Sequence, residues 1–442
     1  MKKDHLLQIV AEWLRTTDLP EPVPRESPTV DPRNLRSILA VVGPRRSGKT
    51  YYLYQLIREL LASGETSRTD ILFVDFEDYR LQGFKPTDMD GLLSAFQQLA
   101  GRAPRFLFLD EIQHVPGWSR LLRTLHNRGQ FVVIVSGSNS SLLGGEIATE
   151  LRGRYREERM LPFSFREILK YRRLSLDKVT LHTSERGRLL GIFDQYLRFG
   201  GFPETLANPH ELEKRKLLQT YFQTIFYRDI LDRHRIKARY VLEPMMRQLL
   251  EDYAALFSVS TFAKHLASTG LPGSKRTIAN YLQYLEEAFF VIANEKFAYS
   301  PRRRMMNPRK VYLIDPGFGL LGGAFTEKRG ALLENAVAVE LFRQQRRMFY
   351  FKERYECDFI VQEGTRATEA WQVCWEVNAK NERRELRGFL EAVETLKIPR
   401  GGILTYDQEE TLKADGHRVR LIPVWKWLLG LHVERDRLEI QS

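Results

Sequence analysis

Four short apolar runs in the first third of the chain alternate with segments of helical periodicity. Strands that helices cover on both faces are apolar throughout and do not alternate, and these runs have that character. The runs are Ile38–Val42, Asp70–Asp75, Phe106–Asp110 and Phe131–Ser136. The pattern therefore predicts a parallel α/β sheet with helices on both faces over residues 36–160.

The remaining two thirds of the chain divide into three segments with different patterns. Residues 161–238 are helical with few strand signals, which predicts a small helical domain. Residues 239–325 predict a helix, a second helix, a turn at Gly270–Gly273, a third helix and then two strands. This is the element order of a winged helix-turn-helix. Residues 326–442 alternate helices with strands and predict a second α/β unit.

The loop after the first predicted strand has the spacing of a phosphate-binding P-loop. It reads G-P-R-R-S-G-K-T over residues 43–50 and lies between a strand and an amphipathic helix. Backbone amides of such a loop form an anion nest at a helix N-terminus. We expect Lys49 to reach the β- and γ-phosphates of ATP and Thr50 to bind Mg²⁺. The predicted nucleotide-binding residues are Gly43, Arg45, Arg46, Ser47, Gly48, Lys49 and Thr50.

The N-terminal 35 residues predict a short amphipathic helix, roughly His5 to Arg15, and an arm that contains five prolines. Proline lacks the backbone N–H that a helix interior needs, so the arm is not helical. Two interpretations remain open for it. The arm could cover the nucleotide base or a neighbouring subunit, or it could move freely.

The third predicted strand ends in two acidic residues, as in the Walker B pattern. We expect Asp110 to hold Mg²⁺ and Glu111 to act as the general base that activates water. Acidic residues also favour helix N-termini without any catalytic role. The polar tip of the fourth strand offers a residue to position the water, with Asn139 as first choice and Ser138 as second. An N-cap for the next helix is the alternative there.

Arginines follow that helix in the sequence L-R-G-R-Y-R, residues 151–156. An arginine from an adjacent subunit can stabilise the charge that develops on the γ-phosphate during transfer. Arg154 is the preferred candidate for this finger and Arg152 the second. A solvated basic turn is the alternative interpretation.

These motifs together resemble a family of archaeal and bacterial AAA+ ATPases. The resemblance extends from about residue 35 over nearly the whole chain, through the segments Gly153-Arg154, Leu161–Glu167, Gly200–Glu204, Tyr227–Leu231, Leu313–Gly317 and Leu333–Val337. It implies an AAA+ core at residues 36–160, a helical lid at 161–238, a winged-helix segment at 239–325 and a nuclease-like domain at 326–442. In such proteins the ATP site lies between subunits of a ring.

The net positive charge of the chain suggests a polyanionic partner such as nucleic acid. The 442 residues include 68 lysines and arginines against 56 acidic residues, for a net charge of +12. Two exposed cations are expected at the start of the third helix of the winged-helix segment, and five more in the following loop. The predicted DNA-contacting residues are Lys275, Arg276, Arg302, Arg303, Arg304, Arg309 and Lys310. A solvated basic face is the alternative.

The resemblance of residues 326–442 to PD-(D/E)XK nucleases implies a metal site that is incomplete. Glu334 and Asp358 fall on two acidic positions of that site. The third predicted strand, Trp371–Val377, has Gln372 and Cys374 where glutamate and lysine are expected. Gln372 is a neutral and weaker metal ligand than a carboxylate, and Cys374 cannot replace an ammonium group. We therefore expect this domain to hold DNA without cleaving it. Strand alternation places Glu376 on the same face, where it could compensate in part.

The sequence thus predicts a ring-forming, hexameric AAA+ ATPase that uses ATP and Mg²⁺ to remodel or translocate DNA, with branched DNA favoured. A regulatory NTPase switch with slow turnover and an ATP-gated, metal-dependent nuclease are the alternatives. The chain has only two cysteines, and polar residues interrupt its first apolar stretch. These features favour a reducing, cytoplasmic compartment and no association with a membrane.

Overall fold

The computed structural model describes residues 2–26, 30–138, 151, 153–174, 185–323 and 328–431. The chain is of the α/β class and divides into two compact units, Met1–Leu161 and Pro162–Ser442. Among the described residues, no helix is long and apolar enough to cross a membrane.

The first unit is built on a five-stranded sheet in which every strand pair is parallel. The order across the sheet is β5-β1-β4-β3-β2, so β4 lies between β1 and β3. The strands are β1 (Ile38–Val42), β2 (Ile71–Asp75), β3 (Phe106–Asp110), β4 (Val132–Gly137) and β5 (Tyr155–Arg159). The first four agree with the predicted runs to within one residue at each end. The fifth was not predicted, because its sequence Tyr-Arg-Glu-Glu-Arg has no apolar run.

Four helices of the first unit lie within its described residues. They are α1 (Lys3–Arg15), α2 (Lys49–Ala62), α3 (Met89–Ala100) and α4 (Trp118–Asn127). Helix α1 buries Leu6, Ile9, Val10 and Trp13 along one face, and the indole nitrogen of Trp13 donates to the carbonyl of Ile71, 2.5 Å away. The N-terminal helix is thereby an integral part of the sheet's covering layer.

The second unit begins with helices and continues into a mixed sheet. Its helices are α5 (Phe165–Tyr171), α6 (Glu185–Phe199), α7 (Pro203–Ala207), α8 (Glu211–Thr224), α9 (Arg239–Glu251), α10 (Val259–Ser268), α11 (Lys275–Glu287), α12 (Pro301–Met306), α13 (Arg329–Arg343), α14 (Glu382–Leu396) and α15 (Val424–Leu428). Helix α8 passes directly into a π-helical segment, Ile225–Asp232. Helix α12 lies within the stretch around residue 302 that the sequence analysis expected to be a basic loop.

Nine strands of the second unit form one continuous sheet. They are β6 (Ala255–Phe257), β7 (Val291–Lys296), β8 (Arg309–Leu313), β9 (Arg347–Lys352), β10 (Glu356–Glu363), β11 (Arg366–Val373), β12 (Arg400–Thr405), β13 (Glu410–Ala414) and β14 (His417–Pro423). Their order is β13-β14-β12-β11-β10-β9-β7-β8-β6. The join lies at β7 and β9, which pair in parallel at Glu295–Phe349 and Lys296–Tyr350. The two segments 239–325 and 326–442 therefore share a sheet.

A buried aspartate connects the helical segment to the end of β8. The carboxylate of Asp315 accepts hydrogen bonds from the backbone N–H of Gly201, 2.8 Å, and of Gly317, 2.9 Å. Gly200 has a left-handed conformation, φ 72°, and a Cβ there would overlap the Asp315 carboxylate. The Gly-Gly turn after α6 is thus fixed by a residue more than one hundred positions later.

Candidate nucleotide site and a second polar cluster

The P-loop is shaped by two glycines with different roles. Gly48 has φ 93° and directly precedes α2, which begins at Lys49. A Cβ at Gly43 would overlap the backbone carbonyl of Met160, so the loop and the end of β5 approach each other closely. The hydroxyl of Ser47 is fully buried and has no hydrogen-bond partner among the described residues. An unsatisfied polar group in this loop is consistent with a bound phosphate.

Lys49 is buried inside the loop and connects it to the acidic end of β3. Its ammonium group lies 3.3 Å from the carbonyl oxygen of Gly43 and 3.1 Å from that of Pro44. It is also 3.5 Å from a carboxylate oxygen of Glu111. The predicted phosphate-binding cation and the predicted general base are therefore in contact.

Thr50 and Asp110 come together as a magnesium site requires. The Thr50 hydroxyl donates to Asp110 Oδ2, 2.7 Å away, and the Ser136 hydroxyl donates to Asp110 Oδ1. Hydroxyl and carboxylate oxygens are the ligands that Mg²⁺ prefers, and the cation is bound by few protein ligands together with phosphate oxygens. Both residues predicted to bind Mg²⁺ thus fit that ion.

The two acidic residues differ in their proton affinity. Burial raises the pKa of Asp110 to about 6, although hydrogen bonds from Ser136 and Thr50 oppose this effect. Burial is the largest single influence on Glu111 and acts to raise its pKa, but the charges of Lys49 and Arg45 and the hydrogen bond from Gln113 together outweigh burial, so the pKa is lowered. A general base must be ionised to accept a proton, and Glu111 is held in that form.

Glu111 is oriented by its backbone and by a chain of polar side chains. It has φ 51°, in the left-handed region, and its N–H donates to the Ser136 hydroxyl at 3.0 Å. The Gln113 amide donates to the Glu111 carboxylate and lies 3.3 Å from the Ser138 hydroxyl. Because β4 is the neighbour of β3, Ser136 reaches both acidic residues directly, and Ser138, just after β4, contacts Glu111 through Gln113.

Three other predicted residues of this unit have different surroundings. Arg45 forms an ion pair with Glu77, 2.8 Å away, while Arg46 is in the left-handed region with φ 66°. Arg154 is exposed immediately before β5. Asn139 and Arg152, the first-choice sensor and the second-choice finger, lie outside the described residues.

Arg25 supports the P-loop, and the sequence analysis missed it. It belongs to the proline-rich arm and directly follows Pro24. Its guanidinium donates to the carbonyl of Ser47 at 2.8 Å and to that of Leu161 at 2.6 Å. The arm thus contacts the backbone of the nucleotide loop. The only signal in the sequence was an arginine in an arm that precedes a P-loop.

Six of the seven residues predicted to contact DNA are exposed or partly exposed. Lys275, Arg276, Arg302 and Arg303 are exposed, as expected. Arg304 is partly buried with its guanidinium 5.5 Å from the ring centre of Phe349. Arg309 lies 3.2 Å from Glu295 and 3.8 Å from Glu286, so it forms ion pairs with both acidic side chains.

The prediction for Lys310 is wrong. Its side chain is only 5% exposed, so it cannot form part of a phosphate-binding surface. Lys310 lies on β8, and its ammonium group is 2.7 Å from Glu334, 2.9 Å from Glu356 and 2.7 Å from Asp358. The cation had been assigned to a basic loop because its acidic partners are remote in the sequence.

The acidic residues of segment 326–442 thus form a cluster around Lys310. Burial and the charge of Asp358 raise the pKa of Glu334, while Lys310 and the Tyr312 hydroxyl oppose this effect. The amide nitrogen of Gln372 donates to Glu385 at 2.7 Å. The cluster lines a cavity of about 750 Å³, which Cys374 and Glu376 also line. Strand β11 ends at Val373, so Glu376 reaches the cavity from a loop and strand alternation does not place it there.

Comparison with family models identifies an AAA domain at residues 35–169. Two domains of unknown function follow, DUF8612 at residues 191–323 and DUF4143 at residues 329–427. The AAA model spans the P-loop and the Walker B residues, so the first unit contains an ATPase domain.

Two relatives match most of the chain. An uncharacterized protein of Methanocaldococcus jannaschii, MJ1544, is 33% identical over 403 residues, which cover 89% of this chain and 88% of the relative. An uncharacterized protein of Haemophilus influenzae is 28% identical over 334 residues, covering 74% and 80%.

Solved structures give weaker likenesses. The Walker-type ATPase PABY2304 of Pyrococcus abyssi has a TM-score of 0.40 at 15% identity, covering 72% of this chain and 94% of that protein. The ORC1 protein of Aeropyrum pernix, solved in complex with DNA, has a TM-score of 0.30 at 17% identity, covering 77% and 93%.

Proposed function

The chain belongs to the family of the Methanocaldococcus jannaschii protein MJ1544, and from this premise we propose that it is an AAA+ ATPase that acts on DNA. The convergence of Lys49, Thr50, Asp110 and Glu111 on one site carries the ATPase part of the proposal. These four side chains supply the groups that phosphoryl transfer to water requires: a cation, two oxygen ligands for magnesium and a base.

Each residue has a defined role in hydrolysis. Lys49 and the loop amides bind the phosphates, and Thr50 with Asp110 would hold Mg²⁺, which neutralises charge on the phosphate oxygens when bound. Glu111 accepts a proton from the attacking water, oriented through Gln113 and Ser138. Asn139 remains our first choice for a direct contact with that water.

The ATPase proposal is tested by two substitutions with a control. Lys49→Ala removes the phosphate cation, and Glu111→Gln removes the base while keeping the shape of the side chain. We expect both to abolish ATP hydrolysis, and the second to retain ATP binding. Glu59→Gln, at an exposed position on α2, should hydrolyse ATP normally. Hydrolysis by Glu111→Gln at the original rate would contradict the assignment of the base.

We assign the exposed Arg154 to the ATP site of a neighbouring subunit in a ring, with a hexamer as the expected assembly. The test mixes two inactive proteins. Arg154→Ala retains its own base, and Glu111→Gln retains its arginine, so a mixed ring contains some interfaces with both groups intact. We expect the mixture to regain a fraction of the activity. If the two proteins are shown to co-assemble and the mixture does not regain activity, Arg154 is excluded as a finger.

The DNA part of the proposal rests first on helix α11. Together with α9, α10 and strands β6 to β8, it has the element order of a winged helix. Arg276, Asn280 and Gln283 are exposed at positions i, i+4 and i+7, so they share one face of the helix. Guanidinium and amide groups are those that pair with guanine and adenine edges in the major groove.

The segment from Tyr299 to Met306 supplies a second surface for DNA. Tyr299 is 71% exposed and Met306 is 77% exposed, and Arg302 and Arg303 lie between them, also exposed. Cations that bind phosphates next to an apolar side chain that can contact a base are typical of nucleic-acid surfaces. We name residues 299–306 the basic segment.

Neutralisation of the basic segment tests this surface. The triple variant Arg302→Ala, Arg303→Ala, Arg304→Ala should bind duplex and branched DNA more weakly, and the slope of log Kd against log salt should fall by up to about 0.9 for each lost phosphate contact. A control with the same charge change replaces three exposed cations elsewhere, Arg400, Lys397 and Lys413. If both triple variants lose affinity equally, the effect is one of net charge and the surface is not specific.

A regulatory switch with slow turnover is the second candidate function. The observation that favours it is the contact of Glu111 with both Lys49 and Gln113, which leaves the base engaged in ion pairing and hydrogen bonding. Turnover that stays slow in the presence of every DNA tested, together with ATP-dependent assembly, would support the switch. Stimulation of hydrolysis by duplex or junction DNA would support the motor.

A further inference from the structure

The resemblance of the C-terminal domain to nucleases implies a divalent metal at Glu334 and Asp358, and the structure provides a direct test of that implication. A metal site needs carboxylate oxygens that are free to bind a cation at about 2.0–2.6 Å. Around Lys310 those oxygens already have a cation. The ammonium group has three N–H donors, and each has a carboxylate within 2.9 Å: Glu334, Glu356 and Asp358.

The carboxylates of the cluster are also held by donors other than Lys310. Asp358 accepts from the backbone N–H of Val373 at 2.8 Å, and Glu334 accepts from the Tyr312 hydroxyl at 2.7 Å. Glu356 accepts from Lys352 at 3.1 Å. A metal ion would have to displace these donors as well as the ammonium group, and it would leave a buried ammonium ion without a partner.

The remaining member of the implied metal site is a neutral amide. Gln372, in the position where a carboxylate is expected, is 7% exposed and donates from its amide nitrogen to Glu385. Its amide oxygen is buried without a hydrogen-bond partner among the described residues, and a single neutral oxygen does not replace the two carboxylates that Lys310 occupies. Glu385 also pairs with Arg384. Two of the implied ligands are therefore bound to Lys310, and the third belongs to a separate hydrogen-bonded pair.

We propose that Lys310 is a tethered cation that takes the place of the divalent metal in this cavity. The cavity then keeps its shape and its arrangement of charge without any metal, and a water molecule in it has no metal to lower its pKa. If the chain acts on DNA as proposed above, this domain holds a strand without hydrolysing it. The lysine comes from β8, one of the strands of the proposed winged helix, which ties this site to the shared sheet.

Manganese binding to the nucleotide-free full chain tests the proposal without DNA or ATP. Bound Mn²⁺ is counted from the loss of the free-ion electron paramagnetic resonance signal. We expect the wild-type chain and Asp358→Asn to bind equal amounts. Lys310→Ala should gain one Mn²⁺ per chain, and the double variant Lys310→Ala, Asp358→Asn should lose it. Lys352→Ala, which removes the half-exposed lysine on Glu356, is the control and should gain none.

A thermal measurement gives a second readout. Lys310→Ala leaves buried carboxylates without their cation, so its melting temperature should be low and should rise when Mn²⁺ is added, whereas the wild-type melting temperature should not change. Mn²⁺ that binds to the wild-type chain and is lost in Asp358→Asn would overturn the proposal. That comparison needs no lysine variant, so it decides the question even if Lys310→Ala fails to fold. Failure of DNA binding, measured separately, would leave this result untouched.

Discussion

The hydroxyl of Ser136 joins the two acidic residues that follow β3. It donates to the Asp110 carboxylate and accepts from the backbone N–H of Glu111. The serine is fully buried on β4, the strand between the two nucleotide-binding strands. One side chain therefore positions both the proposed magnesium ligand and the proposed base.

Replacement of Ser136 by alanine should slow hydrolysis more than it weakens ATP binding. A hydrogen bond to a charged group contributes about 1.5–3 kcal/mol, which corresponds to a loss of roughly 10- to 150-fold in kcat if the whole effect falls on the transition state. Steady-state kinetics measure it. The control is Ser119→Ala, a buried serine on α4, which should leave kcat unchanged. A change confined to KM would show that Ser136 acts on binding alone.

Two glycines close together in the chain should respond oppositely to alanine. Gly200 is left-handed and a Cβ would overlap Asp315, whereas Gly191 is exposed on α6 with open space around it. Gly200→Ala should lower the free energy of unfolding by about 2–5 kcal/mol, the sum of the left-handed strain and the overlap. Gly191→Ala should raise it by about 0.5–1 kcal/mol, since alanine favours helix. Chemical denaturation of both variants checks the contrast, and equal effects would contradict it.

At the scale of elements, Asp315 couples the Gly-Gly turn to the end of β8, and this coupling should depend on pH. Burial raises the pKa of Asp315 to about 7, against an ordinary value near 3.8. Between these values the folded chain holds a proton that the unfolded chain releases. The contribution to the free energy of unfolding therefore falls as pH rises from about 4 to 7, by up to about 1.4 kcal/mol per pH unit.

Asp315→Asn should remove this part of the pH dependence. Melting temperatures of wild type and variant are compared across pH 4.5 to 8, and their difference should change with pH in the direction given above. Other buried carboxyl groups, such as Glu286, titrate in both proteins and cancel in the comparison. The exposed Asp252→Asn is the control. Parallel curves for wild type and Asp315→Asn would show that the carboxyl does not titrate in this range.

The sequence predicted the structure correctly where a local pattern determines it. It failed where contacts between residues remote in the chain determine the structure. The apolar runs located β1 to β4, the P-loop spacing selected Lys49 and Thr50, and the acidic end of the third run selected Asp110. Strand order brings the ends of parallel strands together, so Thr50 and Asp110 are in contact. The polar strands β5 and β13 had no such signal, so they were missed. Lys310 was misjudged since its neighbours in the chain are cations, while its three acidic partners lie 24 to 48 residues away.

At the scale of the whole molecule, the candidate nucleotide site lies in the first unit and the proposed DNA surfaces lie in the second. Any use of ATP to act on DNA then requires a coupling free energy between the two. Coupling between binding sites is reciprocal: if ATP changes the affinity for DNA by some factor, DNA changes the affinity for ATP by the same factor. Typical couplings of 1–3 kcal/mol correspond to roughly 5- to 150-fold.

Glu111→Gln is the protein in which to measure this coupling, because it should bind ATP without consuming it. We expect ATP to change the Kd for duplex or branched DNA at least about 5-fold, and saturating DNA to change the Kd for ATP by an equal factor. Neutralising Arg302, Arg303 and Arg304 should reduce DNA binding while leaving the Kd for ATP in the absence of DNA unchanged. Affinities that are independent of each other would mean that the ATPase domain does not drive the DNA surface. The slow switch would then remain as the function of the nucleotide site, with assembly of the chain as its output.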